Sequence, residues 1–312
     1  MKTYYSLLAL LLSFVVTAAQ QIGYLEITEE DWSIVQNAAD IVSERFGRFG
    51  SFDNVFRYRT SRAALVQSDG RCYVAFRGRR LAALKLFVPR RTKDYCVDNE
   101  CCLVQTKYER DLGDLVSKIR PELEACVNDY CTEMDCVVIT GHGIGGSLAA
   151  LAAMSFKSYN PFGITFGEVQ NVETPCPLID SERWWRFINT EEEEGALVYD
   201  RLSARRYSRF PKALGHILLL SSVDSTAVAH MGIDRKWEYE YDTRRVRILP
   251  GRRTNSMDKY QDRISALTAE YATTLTYPIA VEGFDEGSVC NFGGECESRL
   301  CGESEGKRAC LA

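Results

Sequence analysis

The residues best placed for chemistry form one glycine-rich run, Gly141-His142-Gly143-Ile144-Gly145-Gly146-Ser147. It follows the apolar stretch Cys136-Val137-Val138-Ile139-Thr140, which reads as a buried parallel strand. It precedes the Ala/Leu-rich run Leu148 to Phe156, which reads as a tightly packed helix. A turn between such a strand and helix lies at the carboxyl edge of a parallel sheet, where ligands bind. Two chemistries fit. Gly141, Gly143 and Gly146 satisfy G-x-G-x-x-G, the dinucleotide fingerprint, with Glu168 beyond the next strand as the acidic residue for a ribose. The same residues fit the strained elbow G-x-S-x-G, which lifts a nucleophile above the sheet, but Gly143 stands at the nucleophile position.

The second reading extends over more of the chain. Val138 to Ala149 resembles the class 3 (fungal-type) lipase signature V-x-T-G-H-S-L-G-G-A-L-A, with the serine replaced by Gly143. Val74-Ala75-Phe76-Arg77-Gly78 resembles the family's V-A-F-R-G-T strand, and Ile164-Thr165-Phe166-Gly167 is similar to its Y-T-F-G-S-P strand. Trp185-Arg186-Phe187-Ile188-Asn189 resembles the strand leading to the acidic triad member, and Pro211 to Leu220 the segment that holds the catalytic histidine. The resemblance spans roughly Ile27 to Tyr241. It implies an α/β-hydrolase fold, a mostly parallel central sheet flanked by helices, and lipid metabolism as the setting.

Acyl transfer on this fold needs a hydroxyl nucleophile, a histidine base, an orienting carboxylate and an oxyanion hole. By the resemblance, Gly143 is a vacated nucleophile position, framed by Gly141 and Gly145. The oxyanion position falls at Arg79, so only backbone N–H groups, there and at Ile144, could serve. The acid position falls by count at Glu192, inside the run Glu191 to Glu194, which also reads as a solvated loop. The family's H-x-G aligns with Ala213, a vacated histidine position, and leaves His216 and His230 off register as bases. His142 occupies the x of the elbow, a structural place. His216 reads as a hydrogen-bonded residue at a strand start, and His230 as a packing residue in a helix-like stretch. Ser147, one helical turn past the elbow, and Thr140, before it, are ill placed as substitutes. Loss of the serine costs on the order of a million-fold in turnover. The expectation is a folded, catalytically silent hydrolase whose cleft still takes a lipid or another apolar ester-like ligand. The alternatives are an active ester hydrolase with an unrecognised nucleophile and, third, a dinucleotide-binding protein.

The whole chain sets the frame for these residues. Its 312 residues, 46% of them hydrophobic, suffice for one large domain with small additions. A net charge of −5 and a pI near 5.5 argue against a nucleic-acid partner. Met1-Lys2-Thr3, the apolar run Leu7 to Val16 and the small residues Thr17, Ala18 and Ala19 read as a cleaved signal peptide, residues 1–19. The run is shorter than the roughly 20 residues that span a bilayer, so no transmembrane segment is expected in the mature chain. The expected domain is 20–286, followed by a cysteine-rich tail, 287–312. Twelve cysteines in an exported chain point to disulfides: Cys72, Cys96, Cys101, Cys102, Cys126, Cys131, Cys136 and Cys176, with Cys290, Cys296, Cys301 and Cys310 in the tail. With no C-x-x-C pair and no histidine near the clusters, neither a metal nor another cofactor is expected. The tail's four cysteines allow three pairings.

Further elements are legible. Thr28 with Asp31 caps a helix carrying Ile34, Ala38, Ile41, Val42 and Phe46. Ala63 to Val66 and Cys72 to Phe76 form a hairpin around an Asp69-Gly70 turn. A helix follows from about Tyr108 to Tyr130, with Pro121 marking a break. Arg244, Arg245, Arg247, Arg252 and Arg253, interleaved with Val246 and Ile248, read as an exposed strand.

Overall fold

The computed structural model describes residues 24–44, 54–58, 61–77, 92–131, 136–193, 196–199, 214–220, 228–233, 256–270, 275–278, 301–304 and 307–310. In chain order the strands and α-helices are β1 (Tyr24–Ile27), α1 (Glu29–Glu44), β2 (Asn54–Tyr58), β3 (Ser61–Ser68), β4 (Arg71–Arg77), β5 (Thr92–Val97), β6 (Glu100–Gln105), α2 (Thr106–Tyr130), β7 (Val137–His142), α3 (Ile144–Ser155) and β8 (Phe162–Phe166). They continue with β9 (Trp184–Glu193), β10 (Ala196–Tyr199), β11 (His216–Leu220), β12 (Val228–Ile233), α4 (Met257–Glu270), β13 (Leu275–Pro278), β14 (Cys301–Ser304) and β15 (Lys307–Cys310). The expected signal peptide, residues 1–19, together with Phe46, Arg79, Ala213, the arginine-rich run 244–253, Cys290 and Cys296, lies outside the described residues.

Local chemistry explains the first elements. Thr28 Oγ1 accepts from the Asp31 amide, and Asp31 Oδ2 accepts from the Thr28 amide at 2.9 Å, the reciprocal cap expected from the sequence. Glu29, Glu30 and Asp31 add negative charge to the first turn of α1, where the helix dipole favours it. Asp69 and Gly70 both have positive φ, 48° and 71°, as a two-residue hairpin loop of matching twist requires. That turn fixes the register of β3 on β4, with Ser68 opposite Arg71.

Nine strands make the central sheet, in the order β12-β11-β9-β8-β7-β4-β3-β2, with β10 paired to β9. The five in the middle, β4, β7, β8, β9 and β11, run parallel. The edges are antiparallel. Alternation along the strands sorts the core into two faces. Val74, Phe76, Val137 and Ile139 pack with the buried residues of α2 and α3. Tyr73, Ala75, Val138, Ile164, Phe166 and Phe187 pack with those of α1 and α4. Both faces of β7 are therefore covered, which is why its sequence is continuously apolar. The mostly parallel sheet between two helical layers is the α/β-hydrolase architecture implied by the sequence.

The structure corrects three local expectations. Pro121 does not break α2, which runs unbroken over 25 residues. Its ring sits on the exposed side, while Leu115, Ile119, Leu123 and Cys126 hold the helix against the sheet from both sides of the proline. The loss of one backbone hydrogen bond is thus outweighed by burial. Glu191 to Glu193 belong to β9 and pair with β10, not to a loop. His230 lies in the strand β12, opposite Leu218 of β11, not in a helix.

Among the described residues, four disulfides lock the body of the fold. Cys72–Cys126 ties β4 to α2, and Cys131–Cys136 closes the connection from α2 to β7. Cys96–Cys101 staples the β5–β6 hairpin, and Cys102–Cys176 fastens it to the segment after β8. The last of these closes a loop with a sequence separation of 74, worth about 4 kcal/mol on the chain-entropy account. No helix among the described residues is long and apolar enough to cross a membrane. Replacing Pro121 with alanine restores the missing donor in α2 and is expected to stabilise the protein by roughly 1–3 kcal/mol, read as a higher denaturant midpoint at unchanged slope.

Candidate functional site

The site is built where β7 turns into α3. Gly143 is the N-cap of α3, at φ 58° and ψ −118°, a conformation that side-chain-bearing residues rarely adopt. Its amide donates to Phe166 O at 2.9 Å, and its carbonyl accepts from the amides of Ser147 and Val169 at 3.3 and 3.4 Å. The turn is thereby bonded to the neighbouring strand and to the segment that follows it.

The other glycines serve close approach. A Cβ at Gly145 would lie 2.1 Å from Phe76 O, and one at Gly141 would lie 2.4 Å from the Gly145 carbonyl carbon. Both contacts are with backbone, which cannot step aside. At Gly143, in contrast, a Cβ would meet nothing within 4 Å. The apex of the turn thus points its missing side chain into open space, as the nucleophile of an elbow does. Ile144, the oxyanion candidate, is the first residue of α3, where a helix leaves its amides without intrahelical partners.

The neighbouring hydroxyls are buried. Ser147 is fully buried and its Oγ donates to Val169 O at 2.5 Å. Thr140 is fully buried within β7. His142 is half-buried and meets the ring of Tyr260 edge-on at 5.8 Å. Tyr260 comes from α4, and its hydroxyl accepts from the Asn189 amide at 3.1 Å. Arg263, one turn on, donates to Asn189 Oδ1 at 2.7 Å and to Leu220 O at 3.3 Å. Helix α4 thus clamps the carboxyl ends of β9 and β11 beside the elbow. Sequence reasoning missed this clamp, although Tyr260, Ile264 and Leu267 repeat at helical spacing and Arg263 sits among them.

A buried polar network supports the turn from below. The Glu168 carboxylate accepts from Thr165 Oγ1 at 2.8 Å and from Trp184 Nε1 at 3.1 Å, and stands 3.4 Å from Arg186 Nε. Arg186, fully buried, also donates to Gln170 Oε1 at 2.6 Å and to Glu168 O at 2.8 Å. Gln170 Oε1 accepts in addition from the Leu214 amide. Asn171 Nδ2 donates to Ser147 O at 2.7 Å, which joins this segment to α3. Burial pushes the Glu168 carboxyl above its ordinary range, against the pull of Arg186 and of the bonds from Thr165 and Trp184. With its carboxylate spent inside the core, Glu168 cannot reach the ribose that the dinucleotide fingerprint would need.

The remaining candidates are spread along the sheet. His216 heads β11 and pairs with Trp185, which is level with Ile164 and Thr140. That row lies below the elbow and three strand spacings away from β7, roughly 14 Å. Its ring Nε2 stands 3.2 Å from Glu182 Oε2, so the histidine is tied to the loop before β9. His230 falls in the row of Leu218, Phe187, Phe166 and His142, four strands from β7. Glu192 pairs with Leu197 in the β9–β10 ribbon, five residues beyond Phe187. The described residues bring Gly141, Gly143, Ile144 and Gly145 together and leave His216 and His230 apart from them.

Comparison with known proteins finds one family model and several solved structures. A family model described as Lipase (class 3) matches residues 73–174, the stretch from β4 through the elbow to the Glu168 segment. Among solved structures, the triacylglyceride lipase of Rhizomucor miehei is 14% identical, with a TM-score of 0.45 over 64% of this chain and 83% of that one. Lipase II from Rhizopus niveus is 15% identical, with a TM-score of 0.47 over 63% and 83%. Lip2 lipase from Yarrowia lipolytica is 15% identical, with a TM-score of 0.44 over 63% and 81%. No protein of curated function matches. The parallel sheet and its strand-turn-helix apex define an α/β-hydrolase. Within the chain, residues 73–174 are similar to the class 3 lipase family.

Two outcomes follow from the site. Gly145→Ala drives a methyl into the Phe76 carbonyl and is expected to cost about 3 kcal/mol or more, measured by denaturant unfolding. Glu168, with a folded value raised above the ordinary 4.5, binds its proton more tightly in the folded protein than in the unfolded chain. Its contribution is full below the unfolded value and is lost as pH rises through the folded one. Wild type is therefore expected to lose stability relative to Glu168→Gln as pH rises above the ordinary 4.5, and a pH-independent difference in Tm would contradict this.

Proposed function

We propose that this protein is an exported, catalytically silent member of the class 3 lipase family that binds a lipid or another apolar ester-like ligand. The observation that carries the reading is Gly143: the apex residue of a well-formed elbow has no side chain to attack an ester. The buried, hydrogen-bonded Ser147 and the buried Thr140 offer no replacement. In this reading Glu192 keeps the place of the acid, Ala213 is a second vacated position, and the amides of Arg79 and Ile144 are the remnant of the oxyanion hole. Four disulfides support an oxidising compartment, in keeping with a signal peptide over residues 1–19 and a separate tail over 287–312.

Retention of the elbow without the hydroxyl favours binding over turnover. The residual catalysis of a hydrolase without its nucleophile falls on the order of a million-fold, while apolar binding in a cleft of this fold would not depend on the serine. Serine at position 143 has room for its Cβ and costs only the strain of a positive φ, roughly 1–3 kcal/mol.

The test is hydrolysis of a short-chain p-nitrophenyl ester together with fluorophosphonate labelling. The wild type is expected to be silent and unlabelled, and Gly143→Ser alone to remain silent for want of a base at position 213. The double variant Gly143→Ser with Ala213→His is expected to hydrolyse the ester and to be labelled at position 143. Turnover by the wild type, with label on a defined residue, would overturn the proposal and identify the nucleophile.

A further inference from the structure

The eight cysteines between Cys72 and Cys176 are all joined to one another. Within the chain this leaves Cys290, Cys296, Cys301 and Cys310, for which three pairings exist. Backbone register selects among them. Strands β14 and β15 pair antiparallel with Ser304 opposite Lys307, Glu303 opposite Arg308, Gly302 opposite Ala309 and Cys301 opposite Cys310.

In an antiparallel ladder closed by a two-residue loop, the pair flanking the loop exchanges both hydrogen bonds, and the kind of pair alternates outward from there. Ser304 and Lys307 are the flanking pair, so Cys301 and Cys310, three rows out, form a non-hydrogen-bonded pair. Such pairs bring their Cα atoms to about 4.5 Å, within the span that a disulfide bridges.

The same protein already uses this arrangement. In the β5–β6 hairpin, Val97 and Glu100 flank the two residues Asp98 and Asn99, and Cys96 lies opposite Cys101 one row out. One row and three rows are positions of the same kind. There the two cysteines are bonded, with a Cα separation of 4.1 Å.

We propose that Cys301 and Cys310 form a cross-strand disulfide, which leaves Cys290 and Cys296 as each other's partner. The two thiols of the hairpin lose two protons and two electrons to a disulfide oxidant, which leaves as a dithiol while the new S–S bond forms. The tail is then closed on itself, with no covalent tie to the residues of the central sheet other than the chain that leads into it.

The experiment is peptide mapping of the exported full-length chain, alkylated without reduction and digested with trypsin. Cleavage after Arg299, Lys307 and Arg308 yields residues 300–307 and 309–312, each with one cysteine, and residues 264–299, which carry Cys290 and Cys296 together. The expected result is 300–307 joined to 309–312 and separated by reduction, with 264–299 internally bridged. Joining of either short peptide to 264–299, or alkylated Cys301 or Cys310 in the unreduced protein, overturns the proposal. Cys301→Ser is expected to expose one alkylatable thiol per chain, in 309–312. A label located in 264–299 instead would equally refute the pairing. Neither result depends on ester hydrolysis or ligand binding.

Discussion

The distance between α3 and the strands beneath it governs this structure. A Cβ at Gly145 would stand 2.1 Å from the carbonyl oxygen of Phe76, so the helix rests on the backbone of β4 itself. Gly141 makes the same accommodation from the strand side. Only with both glycines can β7 reverse direction within a single residue and deliver Gly143 to the sheet edge. That seat in turn fixes where Ser147 points, which carbonyl Gly143 bonds, and how the segment from Glu168 to Val172 passes under the helix.

The polar residues of that segment do work that apolar packing cannot do at this place. Where β8 ends and the chain must cross beneath α3, backbone groups are turned inward and need partners. Gln170, Asn171 and Arg186 supply them, and Glu168 balances the buried guanidinium. Such a network favours a single arrangement of its parts. The elbow is therefore held by backbone bonds and by side chains other than that of position 143, which explains how its geometry persists without a serine.

Much of this was legible in the sequence, and the reasons are specific. The continuous apolar run before Gly141, the Thr28 cap and the Asp69-Gly70 turn each rest on short-range rules, and the structure repeats them. The lipase-like signature located the elbow between a strand and a helix, which are β7 and α3. What local pattern could not convey was distance between segments far apart in the chain. Pro121 looked like a stop because its cost is local, whereas the burial that overrides it comes from the sheet and α3. Glu168 looked available to a ligand because nothing nearby in sequence announces Arg186 and Trp184 as its partners. His230 read as helical because its short segment gives no clear period, and pairing with β11 decided the matter. The clamp of Tyr260 and Arg263 on Asn189 joins residues more than seventy positions apart, beyond any reading by periodicity.

The bridge between Cys102 and Cys176 has a topological consequence. It encloses β6, α2, β7, α3 and β8, and with them the entire elbow, in a covalent ring. A protease that severs the backbone once inside that ring produces two chains that stay attached, and the nicked molecule migrates as one species until it is reduced. An isolated cut of this kind is damage that can be survived, because the parts on either side remain at the high effective concentration of a tethered pair.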